Sequence, residues 1–117
     1  MGDEIRLRVY FFRTASNVEP VRDWLMELDR KDRKTIGEDV KTVQFGWPMG
    51  MPLVRKLETD MWEVRSRLER GIARVIFTIA GSAMVLLHGY VKKSQKAPTA
   101  ELATSRRRLA QFKEQTP

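Results

Sequence analysis

The residues whose types could do chemistry fall in three successive segments: Met61-Trp62-Glu63-Val64-Arg65-Ser66-Arg67-Leu68, then Arg74, then Leu87-His88-Gly89-Tyr90-Val91-Lys92-Lys93. An extended chain sends alternate side chains to opposite faces. Glu63, Arg65 and Arg67 therefore share one face, while Trp62, Val64 and Leu68 at least partly serve the other. Three neighbouring antiparallel strands would bring Arg65, Arg67, Arg74, His88, Tyr90 and Lys92 or Lys93 onto or beside one concave surface. Such a surface suits phosphate. Arginine's planar fork takes phosphate oxygens two at a time and keeps its charge, whereas lysine is a point charge whose pKa shifts among other cations. Metal-free RNA cleavage needs a base for the 2′-OH, a stabiliser for the pentavalent phosphorane and an acid for the leaving 5′-oxygen. Arg74, with Arg65 or Arg67, is placed to bind the scissile phosphate. His88, Lys92, Lys93, Tyr90 and Glu63 are the candidates for proton transfer.

Each pattern also has a structural reading. Alternating Arg and Glu is equally the solvated face of an antiparallel sheet. A histidine or tyrosine within an apolar strand is commonly a core or edge residue, which applies to His88 and Tyr90. Arg106-Arg107-Arg108 is commonly a solvated helix face, and it would equally lengthen an RNA track or meet an acidic partner. Trp24, Trp47 and Trp62 read as core, with Trp47, in a loop, the one candidate for stacking on a base.

The elements that must hold these residues follow from periodicity. Ile5 to Phe12 alternates apolar and basic residues and then becomes apolar throughout, as in a strand with one buried end. Val21, Trp24, Leu25 and Leu28 fall at helical spacing after Pro20 and predict a first helix to about Asp29. Past the charged turn Asp29 to Asp32, the spacing of Ile36, Val40 and Val43 predicts a second helix antiparallel to the first. Glycines and prolines between Gly46 and Pro52 mark a loop. Val54 to Leu57, Trp62 to Leu68, Ile72 to Ala80 and Ala83 to Val91 read as strands, with Gly81-Ser82 closing the last hairpin. Pro98-Thr99 opens a final helix whose Leu102, Ala103, Leu109, Ala110 and Phe112 would face the sheet. The fold class is α+β: an antiparallel sheet with two N-terminal helices and a C-terminal helix.

Length and composition set the frame. The chain has 117 residues, room for one core and hence one expected domain over 1–117. Its 22 Lys+Arg exceed its 15 Asp+Glu, giving a net charge of +7 and a pI near 10.1, a field that draws polyanions or an acidic partner. There is no cysteine and a single histidine, which excludes disulfides, thiolate metal sites and multi-histidine metal sites. No metal or cofactor is expected. Neither a signal-peptide pattern nor an apolar run long enough for a bilayer is visible, so the expected location is the cytoplasm, away from membranes.

The second half of the chain resembles the phage-related, HigB-like branch of the RelE toxin superfamily. The shared pattern is K-L-x(4)-W-E-x-R-x-R, G-x-x-R-V-x-F and L-L-H-G-(F/Y)-x-K-K-(S/T)-x-K-x-P. Here these are Lys56-Leu57 with Trp62 to Arg67, Gly71 to Phe77, and Leu86 to Pro98, about half the chain. The resemblance implies a RelE-like compact fold and a ribosome-dependent, metal-independent endoribonuclease that cuts messenger RNA in the A site. It also implies inhibition by a HigA-like helix-turn-helix antitoxin from an adjacent gene. Arg65 and Arg74 match basic sheet residues of the family site, and the strand end with His88, Lys92 and Lys93 matches its third contributor. Lys56, Arg67, Tyr90, Lys96, Arg106 and Arg107 complete the expected RNA-contacting set. Tyr90 stands where phenylalanine is common, and no tyrosine follows Lys93, so the resemblance assigns no acid.

Two other functions fit the same features. A non-catalytic prophage interaction or nucleic-acid-binding protein would use the basic surface only for docking. A DNA-binding repressor is disfavoured, because no helix-turn-helix pattern is present and the basic motif lies in sheet.

Overall fold

The structure, a computed structural model, describes residues 6–92 and 98–115. Strand β1 (Arg8–Phe11) is shorter than the expected Ile5–Phe12 segment. Helix α1 (Pro20–Glu27) starts on Pro20, whose fixed φ and missing N–H suit a first helical turn. It buries Val21, and Trp24, Leu25 and Leu28 pack against the same core. Helix α2 (Arg30–Gly46) begins right after Asp29, whose carboxylate accepts the Asp32 backbone N–H at 2.8 Å. The charged run read as a turn is thus a helix cap and the first turn. Ile36, Val40 and Val43 form the buried stripe of α2.

The remaining strands are β2 (Val54–Glu58), β3 (Met61–Leu68), β4 (Gly71–Ala80) and β5 (Ala83–Lys92), followed by α3 (Thr99–Gln115). The sheet order is β1-β5-β4-β3-β2. It is antiparallel from β2 to β5, as expected, but β1 joins β5 in parallel, which makes the sheet mixed. Alternation fixes which face a side chain takes, not the direction of the neighbouring strand. The β4–β5 hairpin closes through Gly81-Ser82, with Gly81 at φ 60°, a backbone state glycine adopts without steric cost.

Helices cover both faces of the sheet. On one, Val21, Ile36, Val40 and Val43 of the helical hairpin meet Val64, Val75, Phe77, Met84 and Leu86. On the other, Leu109 of α3, flanked by Leu102 and Phe112, meets Met61, Ile76, Val85 and Leu87. Ala103 and Ala110, expected at this contact, are exposed, while Ser105 is fully buried. The 3.6-residue period selects 102, 105, 109 and 112, so position on the stripe outweighs side-chain polarity. The Ser105 hydroxyl donates to the Glu101 carbonyl at 2.8 Å, which lets it be buried. Trp47 packs edge-on against Trp62 and Phe77, with ring centroids 5.2 and 5.6 Å apart. Partly buried against the core, its ring is engaged by Trp62 and Phe77, unlike the base-stacking platform that its loop position allowed. No helix among the described residues is long and apolar enough to cross a membrane.

Candidate phosphate-binding site

The face of the sheet that carries α3 also carries the cations, and a β-bulge in β5 brings the last of them there. Ile76 pairs with His88 and Phe77 with Leu86, which leaves Leu87 as an extra residue. Before the bulge, Met84 and Leu86 pack toward the helical hairpin. After it, even-numbered positions change sides: Tyr90 joins the α3 face, and Gly89 and Val91 turn to α1 and its core. Trp24 lies directly on Gly89, where a Cβ would come within 2.3 Å of the indole. Without the bulge, the parity of β5 would carry His88, Tyr90 and Lys92 beneath the helical hairpin.

The cross-strand register then forms rows. Arg65, Arg74 and Tyr90 stand opposite one another on β3, β4 and β5. On one side lie Arg67, Ile72 and Lys92; on the other lie Arg55, Glu63, Ile76 and His88. Two arginines facing each other on adjacent strands repel, and a single carboxylate offsets them. Arg74 Nη1 donates to Glu63 Oε2 at 2.9 Å, and Arg65 Nε stands 3.7 Å from the same oxygen. Side-chain exposure is 9% for Arg74 and 1% for Glu63, so this is a buried ion pair. The Nε atoms of both arginines are buried without a hydrogen-bond partner among the described residues. Buried donors left over after the internal carboxylate is satisfied are costly unless something else accepts from them.

Arg74 borders a cleft of about 190 Å³, lined also by Arg55, Lys56, Leu57, Glu63, Tyr90 and Lys92, with Pro98 and Leu102 on the α3 side. Three cations of the sheet face, Arg55, Arg74 and Lys92, confront the one carboxylate there. The cleft is suited to an oxyanion with several acceptor oxygens. Arg55 was not among the residues expected from the sequence. Its alternation with Leu57 on β2 was the available signal, because the partner position on β3 is Glu63.

The other expected residues are distributed unevenly. Tyr90 lines the cleft, and burial pushes its phenol above the usual value while the Arg74 charge pulls it down. His88 does not line it. Its Nδ1 lies 3.0 Å from Arg108 Nη1 and its Nε2 lies 2.8 Å from Glu101 Oε1. A guanidinium only donates, so Nδ1 accepts and the proton sits on Nε2, shared with Glu101. Burial holds the imidazole below its ordinary value of 6.5, against the opposing hydrogen bond from Glu101. His88 is thus a neutral anchor for α3, with its ring stacked on Tyr90 at 5.7 Å, and no ring nitrogen is free for proton transfer. Arg108 also donates to the Leu87 carbonyl at the bulge, at 2.9 Å. Its role and that of Glu101 were not visible from the sequence.

Lys56 borders the cleft, yet its ammonium sits 5.6 Å over the Trp62 ring, on the face of the helical hairpin. Arg106 is bound by both carboxylate oxygens of Glu58, with contacts of 2.7 to 3.1 Å, so it ties α3 to β2. Arg107 is exposed. Arg65 and Arg67 do not line this cleft; they line a separate one with Thr35 and Asp39 of α2 and with Pro52 and Leu53. Lys93 and Lys96 lie outside the described residues.

With this geometry in place, comparison with known proteins places the chain in a family. Residues 23–110, from within α1 to within α3, fit the family described as phage derived protein Gp49-like (DUF891). No curated protein matches the chain.

Proposed function

The chain belongs to the Gp49-like family of phage-derived proteins, and from that premise we propose that it is a single-domain toxin of a type II toxin–antitoxin pair, an endoribonuclease that cuts messenger RNA on the ribosome without a metal ion. The observation that carries this reading is the buried Arg74, held by Glu63 at the floor of a cationic cleft with its Nε unpartnered. The motif resemblance to the HigB-like branch of the RelE superfamily supports the same conclusion.

In this reading the scissile phosphodiester enters the cleft with its non-bridging oxygens toward Arg74, Arg55 and Lys92. The 2′-oxygen attacks phosphorus, giving up its proton to a base, and charge builds on the phosphorane oxygens, where fixed guanidinium donors stabilise it most. The bond from phosphorus to the 5′-oxygen breaks as an acid supplies a proton. The products are a 2′,3′-cyclic phosphate and a free 5′-hydroxyl. Tyr90 is an ordinary phenol that carries its proton at neutral pH, and burial raises its pKa further, so it is a donor candidate for the leaving oxygen. Lys92 and Lys93 remain candidates for the base. The partners are messenger RNA on the ribosome and a HigA-like helix-turn-helix antitoxin from the adjacent gene, and the expected site of action is the cytoplasm.

The test is growth after tightly controlled expression in a bacterium, comparing the protein with Arg74→Ala and mapping messenger-RNA 5′ ends. Rapid arrest with cuts inside translated codons, lost in the variant, supports the toxin. A fully toxic Arg74→Ala protein refutes the assignment. One observation favours a second reading, a non-catalytic prophage protein that docks nucleic acid or a partner: the single imidazole is fully engaged by Glu101 and Arg108. Intact messages and unaffected growth with folded protein would select it.

A further inference from the structure

The bulge that aims the end of β5 is gripped from both faces of the sheet. On one face Trp24 of α1 lies against Gly89. On the other, a single nitrogen of α3, Arg108 Nη1, donates to the carbonyl of Leu87, the extra residue, at 2.9 Å and to His88 Nδ1 at 3.0 Å. We propose that Arg108, which does not line the phosphate cleft, is a positioning residue of that site: by holding the bulge it points Tyr90 and Lys92 into the cleft. The inference rests on the phosphate-binding reading above and names what controls the residues that β5 contributes to it.

Three observations separate this role from simple attachment of α3. First, Leu87 is fully buried and has no partner residue in the β4 register, and the donor that α3 aims at its carbonyl is a charged one. Second, α3 is also attached without Arg108. Arg106 joins it to Glu58 of β2, Lys113 joins it to Asp60 in the β2–β3 turn at 2.8 Å, and Gln115 donates to the Arg13 carbonyl at 3.0 Å. Removing the Arg108 guanidinium leaves these attachments in place and takes the donor from the bulge. Third, the ring that Arg108 holds is the one stacked on the phenol of the site: His88 and Tyr90 have centroids 5.7 Å apart and planes inclined at 23°. Glu101 fixes the opposite edge of the same imidazole, 2.8 Å from Nε2, so the ring cannot turn while both partners stay in place. Lys92 follows Tyr90 at the period of a strand, so it shares the direction set at the bulge.

The test is a mutant cycle on Arg108→Met, which keeps the packing stem and removes the donors. The quantity read is the dissociation constant for a labelled all-uridine strand, 2′-O-methylated so that cleavage cannot occur, measured by fluorescence anisotropy. The proteins compared are the wild type, Arg108→Met, Lys92→Ala and the double variant, each checked for helix content by circular dichroism. Lys113→Met, which cuts a different attachment of α3 and loses the same charge, is the matched control. Arg108→Met should weaken binding about tenfold, as for one lost hydrogen bond to a charged group, and should cost almost nothing further once Lys92 is alanine. Lys113→Met should stay within about twofold of the wild type, because a distant exposed charge is screened. An equal effect of Arg108→Met with and without Lys92, or an equal loss in Lys113→Met, overturns the positioning role and leaves the phosphate reading standing. A wild type that does not bind the strand overturns the phosphate-binding reading and the positioning role together. The chain has one histidine, so the imidazole nitrogen resonances of the wild type supply a check that needs no variant. A bare Nδ1 with the proton on Nε2 is expected; a proton on Nδ1 rules out the bond from Arg108 and overturns the positioning role whatever the variants do.

Discussion

Replacing Glu63 with leucine removes the partner of a guanidinium that has little access to water. Arg74 is 9% exposed at its side chain, and its Nη1 hydrogen bond, at 2.9 Å, goes to Glu63. Breaking a buried pair by deleting one member costs about 3–5 kcal/mol, because the survivor's charge stays buried without compensation. The cleft admits solvent on one side of Arg74, which puts the loss near the lower end, about 3 kcal/mol. That is a large part of a total stability of roughly 5–15 kcal/mol and corresponds to a fall of roughly 10–20 °C in the melting midpoint. Exchanging both members for apolar residues of similar size, Glu63→Leu with Arg74→Met, removes the stranded charge and should restore stability to within about 1 kcal/mol of the wild type. Urea denaturation followed by circular dichroism of the wild type, both single variants and the double variant closes the cycle. The reasoning is refuted if Glu63→Leu costs less than about 1 kcal/mol, or if the double variant is no more stable than Glu63→Leu. The double variant is also expected to lose any toxicity while remaining folded, which separates the site's function from its contribution to stability.

Gly89→Ala drives a methyl group to 2.3 Å from Trp24 and should destabilise by about 1–3 kcal/mol or more, read as a lower urea midpoint with an unchanged slope. His88 is held below its ordinary value of 6.5 by burial, so below that pH the unfolded chain binds more protons than the folded one. Its stabilising contribution is therefore complete above pH 6.5 and declines as pH falls toward the lowered folded value; thermal melts should show that loss in the wild type and a flatter profile in His88→Gln. Arg55→Ala should weaken RNA binding about equally for all sequences and reduce the slope of log affinity against log salt by about one, with no change in base preference. An effect on one sequence only would make Arg55 a base contact instead.

The helices and most strands could be read from the sequence because their causes are local. The stripes Val21-Trp24-Leu25-Leu28 and Ile36-Val40-Val43 have helical period, and Glu63, Arg65 and Arg67 have the period of an extended chain. The same alternation correctly placed these three on one face, so the β3 part of the candidate site was legible in the order of residues alone. Arg55 carried the same kind of signal, but its importance depends on standing opposite Glu63, which is a matter of register. Tertiary structure decided the rest. The bulge at Leu87 moves Tyr90 and Lys92 to the face of Arg74, and a one-residue insertion leaves no mark in a pattern whose period is two residues. His88 passed from proton-transfer candidate to anchor because its partners, Glu101 and Arg108, lie 13 and 20 residues away and meet it only when α3 docks. Arg106 meets Glu58 from 48 residues away in the same event. Local periodicity thus determined which residue types share a surface; packing between distant elements decided which of them are already satisfied by the protein and which are left to bind a ligand.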